Sequence, residues 1–370
     1  MTSSNKDNSK TVLVAPLDWG LGHATRCIPL IKELQLNKIH VILAASGQVA
    51  ALLAKEFPEL EILPLDSFSV KYPSGRKWFL LKILWQLPAA INSIYKERAW
   101  LKQAIKKNSI GAVISDNRMG LYSTMIPCVY ITHQLLIKTG KVKWMDKWAQ
   151  KIHYRFINRF NECWVPDFEQ KEVSLAGELS HPLKTPAVPV KYIGALSRFD
   201  SSSSIDNKYD FLILLSGPEP QRSIFEELLL KQVPTVEGKF LVVRGLPGDE
   251  TILPPVKNAV IVNHLSSSAL NEAIVNSNFI ISRSGYTTVM DLYKLYKKSI
   301  LVPTPGQPEQ EYLASYLLEN NITYTATQDN FNLKHHIQKA KEFNYAFSTG
   351  NSPMENYKFY IKEFISFLYN

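Results

Sequence analysis

The sequence predicts an α/β protein of two Rossmann-like domains with a cleft between them. Short apolar runs alternate with helix-like segments in both halves of the 370-residue chain, as in parallel sheets that helices cover on both faces. A polar, serine-rich stretch at residues 197–210 interrupts this alternation in the way that linkers do. The length also favours two domains, at roughly 100–200 residues for each.

In the first half, apolar runs predict buried strands that are separated by helices. Helices are predicted over about 23–36 and over GQVAALLAKEF, which begins at Gly47. The predicted strands are residues 11–17, 40–46, 110–116, 127–133 and 162–167, with a further candidate in EILPLDSF at 61–68.

The alternation restarts after the serine-rich stretch. The predicted strands are 211–217, 239–245, 258–264, 278–285 and 299–305, with helices at 221–232, near 268–276 and from about 286. We therefore expect one Rossmann-like domain over 1–198, a second over 199–350, and a final helix within 351–370 that packs back on the first domain. Open α/β sheets bind ligands beyond the carboxyl ends of their strands, so the ligand is expected in the cleft.

The positive charge of the chain is concentrated in one block. The formal net charge is +9, and residues 71–160 alone hold 17 Lys and Arg against 3 Asp and Glu. Such a block fits an anionic substrate, an anionic membrane surface or nucleic acid. Nucleic acid is disfavoured because no nucleic-acid-binding motif accompanies the basic residues.

The cysteines and the N-terminal residues predict a cytoplasmic protein. Cys27, Cys128 and Cys163 lack the spacing of metal ligands and are expected to be reduced. The first ten residues do not form a signal-peptide pattern, and no run of 18 apolar residues predicts a membrane span. The basic block leaves a peripheral position on the inner face of the membrane open.

The segment WGLGHATR joins the first strand to the first helix. Gly20 and Gly22 allow the backbone to approach a ligand closely, and His23 stands where the helix is expected to begin. A neutral imidazole at a helix N-terminus can act as a base near pH 7. The alternative is a tight turn with a capping histidine.

The segment SRSGYTTVMDL combines small residues with the start of another helix. Ser284, Gly285, Thr287 and Thr288 surround the helix amides and form a cradle suited to phosphate oxygens, with Arg283 as a further partner. Asp291 follows one helical turn later and is placed to accept hydrogen bonds from ribose hydroxyls. The alternative is a capped helix with a surface aspartate.

Three further loops carry polar residues just beyond predicted strands. Gln310 and Glu311 open a helix after a Pro/Gly loop and are candidates for contacts with a sugar. Asp116 follows one strand of the first half, and His133 with Gln134 follows the next, so all three are expected to face the cleft. Each is also common as a cap or turn residue.

GLGHATR, SRSGYTTVMDL and PEQEY, in this order and at these separations, resemble the GT-B glycosyltransferases of the MurG type, glycosyltransferase family 28. The resemblance implies a GT-B fold, a UDP-sugar in the C-terminal domain, an acceptor in the N-terminal domain, and no metal or other cofactor. The sequence contains no Asp-x-Asp, which fits this expectation.

The resemblance also implies roles for single residues. Asp291 would hold the ribose; Ser284, Gly285 and Thr288 would line the nucleotide-sugar pocket, and Gln310 with Glu311 would bind the sugar hydroxyls. His23 matches the histidine of the glycine loop together with Gly22, His133-Gln134 falls near the acceptor-side motif, and Arg198 follows the domain junction. The phosphate loop departs from the family at Ser216-Gly217-Pro218-Glu219-Pro220, where the prolines remove N–H donors.

The expected activity is transfer of a hexose or N-acetylhexosamine from a UDP-sugar to an acceptor hydroxyl, which a lipid-linked acceptor would also provide. His23 is the preferred base, with Asp116 as the other candidate.

Basic residues recur every four positions from Lys143 to Arg159 beside an apolar row from Trp144 to Phe160, and residues 76–85 are similar in kind. These rows either rest on anionic lipid or pack against the sheet.

Two other functions fit the same residues. GLGHATRC also resembles the opening loop of a nucleotide-sugar hydrolase of pseudaminic acid synthesis, in which the histidine activates water. A non-catalytic nucleotide-sugar binding protein is the alternative from another class, and the departing phosphate loop is the feature in its favour.

Overall fold

The computed structural model describes residues 11–66, 79–140, 142–200, 208–347 and 354–368. The chain divides into two compact units. The first comprises Met1–Ser174, Glu178–Leu196 and Ser352–Asn370, and the second comprises Leu175–Gly177 and Ser197–Asn351. Residues 201–207 of the predicted linker lie outside the described residues.

The first unit is built on a seven-stranded sheet in the order β3-β2-β1-β4-β5-β6-β7, and every pairing is parallel. The strands are β1 Thr11–Pro16, β2 His40–Ala45, β3 Ile62–Pro64, β4 Ala112–Asp116, β5 Cys128–Ile131, β6 Glu162–Val165 and β7 Val190–Tyr192. The first four helices are α1 Leu21–Leu36, α2 Gly47–Glu56, α3 Phe79–Asn108 and α4 Lys143–Ile157.

The second unit has a six-stranded parallel sheet in the order β10-β9-β8-β11-β12-β13. The strands are β8 Tyr209–Leu214, β9 Phe240–Val243, β10 Ala259–Val262, β11 Ser277–Ser282, β12 Ser299–Leu301 and β13 Tyr324–Thr325. The helices are α5 Gln221–Gln232, α6 Ser267–Val275, α7 Tyr286–Lys294, α8 Pro308–Glu319 and α9 Leu333–Glu342.

The central strands are apolar because helices cover both faces of each sheet. In β1, Val12, Leu13, Val14 and Ala15 are all fully buried, so the strand is a continuous apolar run without alternation. Parallel strands of this kind need helical crossovers, and the chain provides them. The expected α/β class with two Rossmann-like domains is confirmed.

Several predicted elements end earlier in the structure. The predicted strands 211–217, 278–285 and 299–305 stop at residues 214, 282 and 301, because the residues that follow form loops. The sequence analysis did not predict α3 and α9, nor the short strands β7 and β13.

The C-terminal helix α10, Tyr357–Ser366, belongs to the first unit and packs against α1. Asn356 Nδ2 donates to the carbonyl oxygen of Tyr192 at 3.2 Å, and Lys191 forms an ion pair with Glu363 at 3.0 Å. Phe364 packs edge-on against Trp164.

Each sheet has a switch point: the chain first adds strands on one side of its first strand and then adds the remaining strands on the other side. In the first sheet it lies between β1 and β4, and in the second between β8 and β11. The loops after these strands are where open α/β sheets bind ligands. In the first unit, Asp116 is the last residue of β4 and His23 lies in the first turn of α1, just after the loop that follows β1; in the second unit, these loops carry Gly217 and Ser284.

Within the described residues, every helix is too short or too polar to cross a lipid bilayer.

Candidate active site

The loop after β1 ends at a glycine that the backbone requires. Gly20, the N-cap of α1, has φ of 136°, a region that favours glycine, and no side chain caps the helix. The helix begins at Leu21, two residues before the expected start at His23. Gly22 therefore lies in the first helical turn, where its carbonyl oxygen accepts from Thr25 Oγ1 at 3.0 Å.

His23 and Asp116 are partners. His23 Nδ1 lies 3.2 Å from Asp116 Oδ2, although 93 residues separate them in the sequence. The parallel pairing of β1 with β4 brings them together, because α1 follows β1 and Asp116 is the last residue of β4. Asp116 is fully buried, whereas the His23 side chain is 20% exposed. The imidazole is therefore the member of the pair that a ligand can reach.

Arg26 is the site residue that the sequence analysis missed. Its Nε donates to Asp116 Oδ2 at 2.8 Å, and its Nη2 pairs with Asp116 Oδ1. Burial alone would raise the pKa of Asp116, but Arg26 and then His23 outweigh burial and hold it well below its ordinary value. The carboxylate is thus ionised at neutral pH. The signal available in the sequence was the i, i+3 spacing of His23 and Arg26 on one helix.

His133 completes this cluster from the loop after β5. It is buried, and its Nδ1 lies 3.3 Å from Arg26 Nη1. The adjacent Gln134 uses its backbone N–H to donate to Thr132 Oγ1 at 3.1 Å. His23, Arg26, Asp116 and His133 thus meet at the carboxyl ends of three neighbouring strands.

Cys27 also contacts this cluster but is not a nucleophile. Its Sγ lies 3.7 Å from Asp116 Oδ2, and burial, with the Asp116 charge, raises the pKa of the thiol well above its ordinary value. The thiol therefore stays protonated, and a protonated thiol is a poor nucleophile.

In the second unit, the structure places the Arg283 side chain inside the protein. Its guanidinium donates to the carbonyl oxygens of Pro303 at 3.2 Å and Gln221 at 2.9 Å, and lies over the ring of Phe225 at 4.1 Å. Burial lowers its pKa to about 10. This placement ties the loop after β12 to the start of α5 and does not present the guanidinium to a phosphate.

Ser284, Gln310 and Glu311 support the loop after β12. Ser284 Oγ donates to the backbone oxygen of Gln310 at 3.0 Å. Gln310 Oε1 accepts from the backbone N–H of Thr304 at 2.9 Å, and Glu311 Oε1 accepts from that of Gly306 at 2.9 Å. These contacts fix the loop 302–307 at the edge of the sheet.

The N-terminus of α7 is open. Gly285 is its N-cap, and a Cβ at this position would meet no heavy atom within 4 Å. Thr287 and Thr288 follow in the first turn and are half-buried. Such an end presents backbone N–H groups to an anion.

Asp291 lies in the interior one turn further along α7. It is 9% exposed, and its Oδ1 accepts from Ser197 Oγ at 2.5 Å, so the alternative of a surface aspartate is wrong. Burial raises its pKa to about 6, against the opposing effects of Ser197, Arg198 and Lys294. Arg198 Nη1 donates to Ser267 Oγ at 2.8 Å.

Gly217 lies beside a buried hydroxyl that lacks a hydrogen-bond partner. Gly217 has φ of 106°, and a Cβ there would lie 3.8 Å from Thr304 Oγ1. Thr304 is 2% exposed, and its Oγ1 has no hydrogen-bond partner among the described residues. A buried unpaired hydroxyl is unfavourable unless a ligand satisfies it.

Residues 254–358 match the family model of the glycosyltransferase family 28 C-terminal domain. This range includes α7, Thr304 and Gln310. No curated protein matches the chain in sequence.

Solved structures of glycosyltransferases share the fold over nearly the whole chain. The glycosyltransferase of kitacinnamycin has a TM-score of 0.61 at 13% identity, covering 97% of this chain and 95% of that one. The calicheamicin glycosyltransferase CalG4 has a TM-score of 0.59 at 12% identity, covering 97% and 94%. UGT2 of Phytolacca americana, solved with UDP-2-fluoro-glucose and pterostilbene, has a TM-score of 0.55 at 14% identity, covering 96% and 94%.

Residues 254–358 are therefore similar to the C-terminal domain of glycosyltransferase family 28, and the chain has the two-domain GT-B fold of the glycosyltransferases that it resembles.

Proposed function

We propose that this protein transfers a hexose or N-acetylhexosamine from a UDP-sugar to an acceptor hydroxyl. The observation that carries the proposal is the pairing of an accessible His23 with a buried, ionised Asp116, in a chain whose residues 254–358 are similar to a family 28 C-terminal domain. The UDP-sugar analogue in the solved UGT2 structure supports the choice of donor.

The second unit would bind the donor. The amides at the start of α7, with Gly285, Thr287 and Thr288, are suited to the diphosphate, and Thr304 Oγ1 would find there the partner that it lacks. Asp291 would accept hydrogen bonds from the ribose hydroxyls. Arg283 would act indirectly, by joining the loop after β12 to the start of α5.

The first unit would activate the acceptor. His23 Nε2 takes the hydroxyl proton while Nδ1–H donates to Asp116, whose charge stabilises the imidazolium that forms. The acceptor oxygen forms a bond to the anomeric carbon, and the bond from that carbon to the diphosphate oxygen breaks, with the electron pair leaving on UDP. Helix amides stabilise the departing charge without a metal. His133 and Gln134 would lie on the acceptor side.

A screen of UDP-sugars with purified protein tests this function. With EDTA present, we expect one donor to release UDP rapidly only when an acceptor is added, together with a glycosylated product. The His23–Asp116 pair would equally activate water in a hydrolase, and free sugar formed at full rate without acceptor would establish that function instead. Tight nucleotide binding in calorimetry without any UDP release would indicate a binding protein.

The helix α4 supports the further proposal of a peripheral position on an anionic membrane, with a lipid-linked acceptor. Trp144 and Trp148 are 67% and 52% exposed, beside the exposed Lys143 and Lys147. Steps of four advance about 40° around a helix, so the apolar row turns from solvent at Trp144 to the half-buried Phe156, and Phe160, just past the end of the helix, is buried. Residues 76–85 lie outside the residues whose side chains the structure describes.

Flotation with anionic liposomes tests this surface. At low salt we expect the protein to float with the liposomes, and to be released when Trp144 and Trp148 are both replaced by Ser, because exposed Trp and Lys together favour the interface. Exposed Lys334 and Lys339 on α9 provide a matched control, and their replacement by Ser should leave flotation unchanged. Wild-type protein that stays in the soluble fraction would contradict the proposal.

A further inference from the structure

The Arg26 guanidinium occupies the centre of the catalytic cluster. It is 2% exposed and contacts three functional groups at once. Besides its two contacts with the carboxylate of Asp116, its Nη2 lies 3.0 Å from His23 Nδ1 and its Nη1 lies 3.3 Å from His133 Nδ1.

These contacts constrain the proton on the His23 ring. A guanidinium only donates hydrogen bonds, so a ring nitrogen that faces it has to accept. A neutral His23 that accepts from Arg26 at Nδ1 carries its proton on Nε2. A neutral His23 that donates from Nδ1 to Asp116 carries its proton on Nδ1 and leaves Nε2 free to act as a base.

One nitrogen cannot do both at once. The distance from Nδ1 to Arg26 is 3.0 Å and the distance to Asp116 is 3.2 Å, so the arginine is the closer partner. We propose that Arg26 sets the tautomer of His23, holding the ring proton on Nε2 in the resting site, so that His23 becomes a base only when Nδ1 carries the proton and donates it to Asp116. The proposed tautomer rests on these contacts, whereas its effect on the rate rests on the proposed function.

The charges around His23 favour the same conclusion. Among the described residues, the charged and titratable groups that contact His23 are Arg26 and Asp116. Asp116 also contacts Arg26 and Cys27, and Arg26 also contacts His133. The positive charge of Arg26 lies against both Asp116 and His23 Nδ1, and it opposes a proton on Nδ1. Asp18, in the loop before α1, pairs with Arg118.

This arrangement gives Arg26 a positioning role and leaves the proton balance of transfer unchanged. In the resting tautomer, Nε2–H can donate to the acceptor oxygen and hold it, but cannot remove its proton. To become a base, the ring loses its Nε2 proton to solvent and takes up a proton from solvent at Nδ1, so its net charge is unchanged; Nε2 then accepts the acceptor proton and Asp116 faces the resulting imidazolium. The resting site therefore does not activate water.

Long-range ¹H–¹⁵N spectra of the full chain test the tautomer without any substrate. The His23 signals are identified by their loss in His23→Gln. At a pH where the ring is neutral, we expect the Nε2–H tautomer in the wild type and protonation of Nδ1 in Arg26→Met. Wild-type His23 with its proton on Nδ1 would overturn the proposal, and this result requires no variant at position 26 to fold.

The pH dependence of kcat/KM tests the consequence for catalysis. Removing the guanidinium leaves Asp116 free to stabilise the imidazolium, so the acid limb should move to higher pH by about one to two units in Arg26→Met, and by less in Arg26→Lys, which keeps the charge. Arg244→Lys is the control, because Arg244 is also buried and paired with a buried carboxylate, Glu226. It should lose stability without moving the acid limb.

The two tests separate the possible failures. An unmoved acid limb in Arg26→Met would contradict the catalytic consequence. Absence of transferase activity in all variants and in the wild type would contradict the proposed function, while the spectra would still decide the tautomer.

Discussion

At the scale of single residues, the candidate site contains polar side chains that are buried in the protein interior. Thr304 Oγ1 is buried and finds no hydrogen-bond partner in the described part of the chain, and the Asp291 carboxyl is buried with a pKa of about 6. Both situations destabilise the protein by itself, and the Thr304 hydroxyl also favours a ligand that supplies the missing hydrogen bond. Thr304 leads to a prediction about stability and donor binding, and Asp291 leads to one about stability and pH.

Thr304→Val removes the hydroxyl and keeps the shape of the side chain. Because the hydroxyl lacks a partner, we expect the free energy of unfolding to stay constant or to rise by up to about 2 kcal/mol. If Thr304 Oγ1 binds the donor, the KM for the donor rises by about tenfold, which corresponds to one ordinary hydrogen bond. Thr304→Ser keeps the hydroxyl and is the control. An unchanged donor KM in Thr304→Val would remove Thr304 from the site.

Asp291 predicts a specific dependence of stability on pH. Its pKa in the folded protein, about 6, is higher than its ordinary value, so the folded state binds a proton that the unfolded chain has released. The contribution of Asp291 to the free energy of unfolding is full below about pH 4 and is lost as the pH rises through about 6. The free energy of unfolding of Asp291→Asn minus that of the wild type should be about 2 kcal/mol larger at pH 7 than at pH 4. Urea unfolding at both pH values measures this, and equal differences would contradict it.

At the scale of elements, two glycines show how loops and helices meet. A Cβ on Gly120 would lie 2.3 Å from the backbone oxygen of Ile94 and 2.5 Å from Glu97 Cβ, both in α3. Glu97 in turn pairs with the buried Arg118 at 3.0 Å. Close contact with α3 is therefore built into the loop after β4, which begins directly after Asp116.

Substitution of these glycines by alanine gives a matched pair. Gly120→Ala should destabilise the protein by about 2 kcal/mol or more, because backbone and side chain would have to move. Gly285→Ala should leave stability nearly unchanged, since its φ is −70° and the surrounding space is open. If the diphosphate approaches the amides of α7 there, Gly285→Ala raises the donor KM without changing the melting temperature. Equal melting temperatures for the two variants would contradict the packing described.

At the scale of the whole molecule, the sequence was sufficient to predict the class of fold. Parallel strands that are buried on both faces are continuous apolar runs, and these recur on each side of the serine-rich stretch. Predicted strands were too long where apolar or small residues continue into a loop, as in Val302-Pro303-Thr304. The two-residue strand β13 contains too little pattern to be recognised.

The candidate site was predictable only in part. His23, Asp116 and His133 could be chosen because each stands at the carboxyl end of a predicted strand or at the start of the helix that follows. Arg26 could not be chosen, because a basic residue three positions after His23 on a helix is usually solvated. The burial of Arg26 depends on strands that are far away in the sequence. The direction of the Arg283 side chain depends on loop geometry, which the residue types alone do not determine.

The central claim is that His23 removes the proton from the acceptor hydroxyl. The most direct measurement is the single-turnover rate of sugar transfer by His23→Ala at saturating donor and acceptor, compared with the wild type. We predict a rate lower by about 10²–10⁴-fold, as expected for loss of a general base, with unchanged donor affinity. A rate equal to that of the wild type would contradict the account.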